Sequence, residues 1–241
     1  LARLGADVVV NDVDLSAAKE FGEALTAETV MAEIEGLGRR ALGVEADATK
    51  KDAVEAMVAQ AVDAFGRLDI LVNNAGGALG KPRSTMASDT DEEYLDFILD
   101  VNLKSAILCC QAASKPMKAA RYGRIVNVGS QAGLWTGHSG DGMPYKVAKA
   151  GVIHYTRVLA SELGPYGINV NCIAPAWILS SRAVAQGRNT PEVRDRLLSQ
   201  IPLGRLGVPD DCAKVVEFLV TDLSDYVTGQ TIAVCGGYVC W

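Results

Sequence analysis

Histidine is scarce in this chain: 241 residues contain two, His138 and His154. Neither has a partner at metal-ligand spacing, which argues against a metal site. The cysteines, Cys109, Cys110, Cys172, Cys212, Cys235 and Cys240, include no C-x-x-C pair. Most lie in apolar segments, so they read as reduced core thiols of a cytoplasmic protein. Positive charge is in deficit, with 23 Lys and Arg against 29 Asp and Glu, a net charge of −6. That excludes a basic nucleic-acid surface and an anionic membrane as partners. No uninterrupted apolar run reaches the ~18 residues of a membrane span, and no secretory signal pattern is present. Repeats and low-complexity linkers are also missing, so residues 1–241 read as a single domain.

Alternating strands and helices are what the chain does have. Strands are expected at 6–12, 41–47, 68–76, 123–130, 168–175 and 231–237, and helices at 26–38, 50–66, 91–120, 144–164 and 209–221. Several strands are continuous apolar runs, the mark of burial on both faces. The expected fold is α/β, a doubly wound, mostly parallel sheet with helices on both faces, Rossmann-like. Residues 176–209 are irregular and follow a strand's C-terminal end, where such sheets bind ligands, so they are a lid candidate, with a plain surface loop the equal alternative on length. The opening residues LARLG read as the last turn of a helix closed by Gly5.

Four features carry chemistry. Tyr145 and Lys149 are four residues apart on a helix and share one face. A phenol has a pKa of about 10. A neighbouring ammonium favours the phenolate, so the pair can serve as a general acid/base near neutral pH. Ser130 ends the strand GRIVNVGS at the ligand-binding edge, and its hydroxyl can meet a substrate oxygen. Asn102 sits inside a helical pattern, where asparagine is a mediocre former, which suggests an irregularity or a buried polar role. NNAG at 73–76 ends a strand in a tight turn that lets backbone approach a flat ligand.

In this order, NNAG, Asn102, Ser130, Tyr145-x-x-x-Lys149, INVNCIAP with a lid, and IAVCGG resemble the short-chain dehydrogenase/reductase family along essentially the whole chain. The resemblance implies that Tyr145 is the general acid/base and that Lys149 lowers its pKa and holds the nicotinamide ribose. It also implies that Ser130 positions the substrate oxygen, and that Asn102 holds a water completing a proton relay. Members begin with a strand, a glycine-rich loop and a helix. LARLGADVVVND matches the end of that helix and the strand after it, so the first strand and helix are expected to be missing. The strand at 6–12 should then not pair directly with that at 68–76.

The family pattern places Asp12 on the adenosine ribose, and Asp47 and Ala48 beside the adenine. Asn74, Ala75 and Gly76 would line the cofactor, as would Tyr145 and Lys149. Pro175, Ala176 and Ile178 would lie near the nicotinamide amide. A carboxylate at Asp12 would repel a 2′-phosphate, which favours NAD over NADP. The expected reaction is hydride transfer between that cofactor and a secondary alcohol or ketone. The alternative is a 3-oxoacyl thioester reductase acting on acyl-carrier-protein or CoA substrates, for which Arg121 matches one basic docking position and Tyr166 departs from another. A catalytically silent binding scaffold usually lacks the Tyr or the Lys; both are here. Trp135, Met143 and Trp177 are candidates for an apolar substrate wall and, equally, for core packing. A homodimer or homotetramer built on helices 91–120 and 144–164 is implied.

Overall fold

The computed structural model describes residues 1–241 except 18–21, 23, 24, 81, 138, 240 and 241. His138 and Cys240 therefore lie outside the described residues. The elements are β1 (Val8–Asp12), α1 (Val30–Gly36), β2 (Ala41–Glu45), α2 (Lys51–Phe65), β3 (Ile70–Asn73), β4 (Thr85–Met86) and β5 (Asp89–Thr90). They continue as α3 (Glu92–Leu99), a π-helical turn (Asp100–Lys104), α4 (Ser105–Ala120), β6 (Gly123–Val128), α5 (Met143–Leu163) and β7 (Ile168–Pro175). The last are α6 (Ser181–Ala185), α7 (Pro191–Leu198), α8 (Pro209–Val220) and β8 (Thr231–Val234).

Parallel ladders join β3-β6-β7-β8, and a second parallel ladder joins β1 to β2. Among the described residues no ladder connects β1 with β3, as expected. Neighbouring residues show why both sheet faces are apolar. Ile125 and Val170 face α4 and α5, packing with Met117, Leu159 and Leu163. Val126 and Ile173 point the other way, against Leu219 and Val220 of α8. Successive side chains of a strand alternate in direction, so a sheet covered by helices on both sides needs apolar residues at consecutive positions. Val44, Val54, Met57 and Cys109 tie β2 and α2 to α4, with Val9 and Leu71 packed on the same cluster.

Local signals mark the boundaries. Gly5 closes a 3₁₀ turn in the left-handed conformation, φ 97°. Thr29 caps α1 by accepting from the Ala32 N–H at 3.1 Å. Gly66, φ 80°, ends α2. Two expectations change. Residues 176–209 are not irregular throughout, because they contain α6 and α7. The β4–β5 hairpin has no counterpart in the sequence reading, since two-residue strands are too short to show a period. The expected helix 91–120 is continuous but contains the π turn, and it is long and apolar enough to cross a membrane. Half of an 18-residue apolar segment within it is buried inside the fold, as in a core helix.

Candidate active site

Each candidate residue lies at or just past the C-terminal end of a strand, or on the helices beside it. Asp12 closes β1, Asp47 and Ala48 follow β2, and Asn74, Ala75 and Gly76 follow β3. Ser130 follows β6, and Pro175 closes β7 with Ala176 and Ile178 beyond it. Tyr145 and Lys149 occupy the first two turns of α5.

Ser130, Tyr145 and Lys149 come together. The Ser130 hydroxyl accepts from the Ala132 N–H at 3.1 Å and is within hydrogen-bonding reach of the Tyr145 phenol. The turn carrying Ser130 lies directly on α5, because Gly133 has no side chain: a Cβ there would stand 2.6 Å from the Ala150 nitrogen. Lys149 is 4% exposed and donates to the Val128 carbonyl at 2.8 Å. Its Nζ stands 5.7 Å from the Tyr145 ring centroid, within cation–π range.

The electrostatics differ from the simple pair. Burial pushes the Tyr145 phenol above its ordinary value; the Ser130 hydrogen bond and the Arg188 charge oppose that. Burial pushes Lys149 down to about 8. Lys149 is not among the groups that lower Tyr145, because desolvation acts on both and drives each toward its neutral form. The Arg188 charge comes from the segment between α6 and α7.

Lys149 also sets a stability expectation. With its folded pKa below the unfolded one, the unfolded chain binds more protons between about pH 8 and pH 10. The penalty for burying the ammonium is thus complete below that window and fades as pH rises through it. Lys149→Met should raise Tm at pH 7, with the gain shrinking toward pH 10. Calorimetry of both proteins at the two pH values checks this; a Lys149→Met protein less stable at pH 7 would contradict it.

Asn102 shows both expected features, a π turn and 1% exposure. Its Oδ1 accepts from the Gly77 N–H at 2.8 Å, and its Nδ2 donates to Gly77 O and Ile98 O, each at 3.0 Å. The side chain therefore fastens the turn after β3. Gly76 has φ 122°, and a Cβ there would stand 2.5 Å from Asn102 Oδ1. The glycine is required by Asn102 before any ligand is considered. Asn74 and Ala75 on the same turn are exposed.

Other positions are more committed than their sequence suggested. Asp47 Oδ1 takes both the Thr49 N–H, at 2.9 Å, and the Thr49 hydroxyl, at 2.7 Å, which hold its carboxyl below the usual range. Ala48 is buried against α2. The Asp12 carboxylate is exposed and accepts from the Asp14 N–H at 3.3 Å. The Ala176 N–H donates to Val234 O at 3.1 Å. Ile178 turns its side chain onto Gly207 and lines a hollow of about 260 Å³ whose walls do not include Ser130, Tyr145 or Lys149.

The sequence reading missed a buried amide pair beneath the site. Asn73 Nδ2 donates to Asn127 Oδ1 at 2.8 Å, and Asn127 Nδ2 donates to Thr156 Oγ1 at 2.9 Å. Asn73 and Asn127 are register partners on β3 and β6. An asparagine at matching positions of two apolar strands was the available signal.

Similarity to known proteins spans nearly the whole chain. A family model described as "Enoyl-(Acyl carrier protein) reductase" matches residues 1–239. A cyclohexanol dehydrogenase of Rhodococcus sp. (strain TK6) is 45% identical over 240 residues, covering 98% of this chain and 88% of that protein. The (2S)-[(R)-hydroxy(phenyl)methyl]succinyl-CoA dehydrogenase subunit BbsD of Thauera aromatica is 44% identical over 241 residues, with the same coverage, 98% and 88%. Among solved structures, a 7α-hydroxysteroid dehydrogenase complexed with NADH and 7-oxo glycochenodeoxycholic acid superposes with TM-score 0.85 at 32% identity, covering 98% of this chain and 86% of that one.

Proposed function

The chain belongs to the short-chain dehydrogenase/reductase family, and on that premise we propose that it transfers a hydride between NAD and the carbinol carbon of a secondary alcohol, or back to the ketone. The observation that supports this most is the Ser130–Tyr145–Lys149 cluster at the C-terminal end of β6. The named relatives act, by their names, on a cyclic secondary alcohol and on a hydroxyl-bearing CoA thioester.

The residues suit a nicotinamide dinucleotide. Lys149 is a buried amine with one hydrogen-bond acceptor among the described residues, Val128 O, and an ammonium has three donors. Asn74 and Ala75 are open to solvent on a turn held rigid by Asn102. Lys149 would hold the nicotinamide ribose, Asn74 to Gly76 the cofactor's body, Asp12 the adenosine ribose, Asp47 and Ala48 the adenine side, and Pro175, Ala176 and the main chain of Ile178 the nicotinamide. When bound, the cofactor accepts or supplies the hydride and brings a positive charge that favours the phenolate. The chain's own residues do the rest. Ser130 holds the substrate oxygen, and Tyr145 takes the hydroxyl proton during oxidation or returns it during reduction. Lys149, pushed down to about 8, can exchange a proton with the phenol at neutral pH. Both Asn102 amide donors are engaged, so a relay water falls to its main-chain oxygen. NADH absorbance with a panel of secondary alcohols tests the reading; absence of turnover with every alcohol and every ketone would refute it and favour a binding scaffold.

Cofactor choice rests on Asp12. Its carboxylate can accept two charge-assisted bonds from ribose hydroxyls, at roughly 1.5–3 kcal/mol each, and it repels a 2′-phosphate. NAD should be preferred to NADP by at least about tenfold in kcat/KM, and Asp12→Ala should shrink that preference mainly by weakening NAD. Equal use of both cofactors would mean that Asp12 serves only the Asp14 turn.

The 3-oxoacyl thioester reading is second. Its support is the CoA thioester in the BbsD name. Against it, Arg121 and Tyr166 precede β6 and β7, so within one chain they lie at the strand ends opposite Ser130. Arg121 is also occupied there, donating to Pro165 O at 2.9 Å. A homodimer or homotetramer belongs to the proposal: Val147 and Val158, three turns apart on one face of α5, are 51% and 55% exposed.

A further inference from the structure

Three aromatic rings gather beside the Ser130 turn. Trp135 and Tyr238 have centroids 5.6 Å apart at 72°, and Trp177 and Tyr238 stand 6.2 Å apart at 89°. Both are edge-to-face geometries that aromatic pairs favour. Tyr238 is the shared member, so the two indoles are joined through it.

Each ring is placed by a separate device. The Trp135 main-chain N–H donates to Gln131 O at 2.9 Å, while Leu134 packs inward with Val152, Ile153 and Cys172. The turn that presents Ser130 thus also presents Trp135. Trp177 follows the end of β7, and its carbonyl accepts from the Gly207 N–H at 3.0 Å. Tyr238 is delivered by Gly236 and Gly237, with φ 60° and 89°. A Cβ on either would come within 2.8 Å of Ile201 or Pro202. The glycine pair therefore lets the tail press against the end of the lid segment and lay Tyr238 between the indoles.

Core packing does not account for the cluster. All three residues are half-buried, and among the described residues none belongs to the four apolar core clusters. The buried Trp177 indole N–H has no hydrogen-bond partner among the described residues, an exception that protein interiors rarely leave unexplained. A half-exposed apolar surface that starts at Trp135, on the turn carrying Ser130, and runs through Tyr238 to Trp177 is a place for the substrate's carbon skeleton.

Resting on the alcohol–ketone reading above, we propose that Trp135, Tyr238 and Trp177 form a ring-recognition wall, and that the substrate carries its hydroxyl on, or directly beside, an alicyclic or aromatic ring. A ring whose carbinol oxygen is held by Ser130 and Tyr145 meets Trp135 on the same turn. It covers the aromatic surface with few rotors to immobilise, whereas a flexible acyl chain loses more freedom for the same contact.

The test compares cyclohexanol with 2-hexanol, equal in carbon count, on the full chain. The wild type should favour the ring alcohol by at least about tenfold in kcat/KM. Tyr238→Ala and Trp135→Ala should each lower cyclohexanol oxidation about tenfold or more, mainly through KM, and change 2-hexanol less than about threefold. Tyr238→Phe should keep the ring preference, because only its ring is used. Calorimetric titration with cyclohexanone supplies a binding readout: saturable heat in the wild type and in Tyr238→Phe, weakened in Tyr238→Ala. Equal loss on both alcohols, an unchanged Tyr238→Ala, or a preference for 2-hexanol would overturn the proposal while leaving the alcohol–ketone reading intact. Failure to turn over any secondary alcohol would remove that reading, and this one with it.

Discussion

Tyr145→Phe should lower kcat by about 10²–10⁴-fold, the usual contribution of a positioned general acid/base, and leave NAD affinity nearly unchanged. The substitution keeps the ring, so the packing of α5 survives, as does the contact 5.7 Å from the Lys149 amine. It removes only the hydroxyl that faces Ser130. In the proposed roles that hydroxyl moves a proton in the reaction, while the hold on the dinucleotide falls mainly to Lys149, Asp12 and the turn after β3. Steady-state kinetics and NADH fluorescence titration on one preparation separate the two effects. A residual kcat above a tenth of wild type means less than about 1.4 kcal/mol of transition-state stabilisation, too little for the assigned role. Lys149→Met should differ in kind, since it removes both the proposed proton partner and the proposed ribose ligand. Its kcat and its NAD affinity should fall together, even as its Tm at pH 7 rises. A protein that gains stability on losing a catalytic group shows that the group is held at an energetic disadvantage.

The residues proposed as catalytic stand out in the sequence because their signals are local. Four-residue spacing put Tyr145 and Lys149 on one helical face, and a strand end put Ser130 at the ligand-binding edge. The wound sheet was legible for a similar reason: consecutive apolar residues such as Ile125 and Val126 require cover on both faces. The hidden features depend on contacts between distant segments. Nothing near Gly77 in sequence reveals that Asn102, 25 residues on, holds it. The sign of the Tyr145 shift was also hidden, because an adjacent ammonium and the burial of both groups act in opposite directions, and only the fold says which is larger. The ring cluster needed the tail glycines to bring Tyr238 back to two tryptophans whose apolar character alone was visible.

The turn after β3 offers the sharpest test of such a long-range contact. Asn102→Ala should destabilise the protein by about 3–5 kcal/mol, because Ile98 O loses a buried partner and Gly77 N–H and Gly77 O lose part-buried ones, at about 1–3 kcal/mol apiece. For a chain of this size each kcal/mol lowers Tm by roughly 2–4 °C, so a fall of about 10 °C is expected. NAD affinity should fall as well, since Asn74 and Ala75 ride on the loosened turn. Gly76→Ala attacks the same contact from the other side. Its methyl would meet Asn102 Oδ1 at 2.5 Å, in a backbone conformation that L-residues rarely adopt. The two substitutions should therefore be non-additive. With Asn102 already shortened to alanine, the added methyl no longer collides with the amide, and only the backbone strain and a 3.1 Å approach to the Val101 carbonyl remain. The double variant should be more stable than the sum of the single effects predicts, by about 1 kcal/mol or more. Urea unfolding of the four proteins measures the coupling directly. Strict additivity would show that the Gly76 backbone conformation, and not the Asn102 side chain, is what excludes a Cβ there.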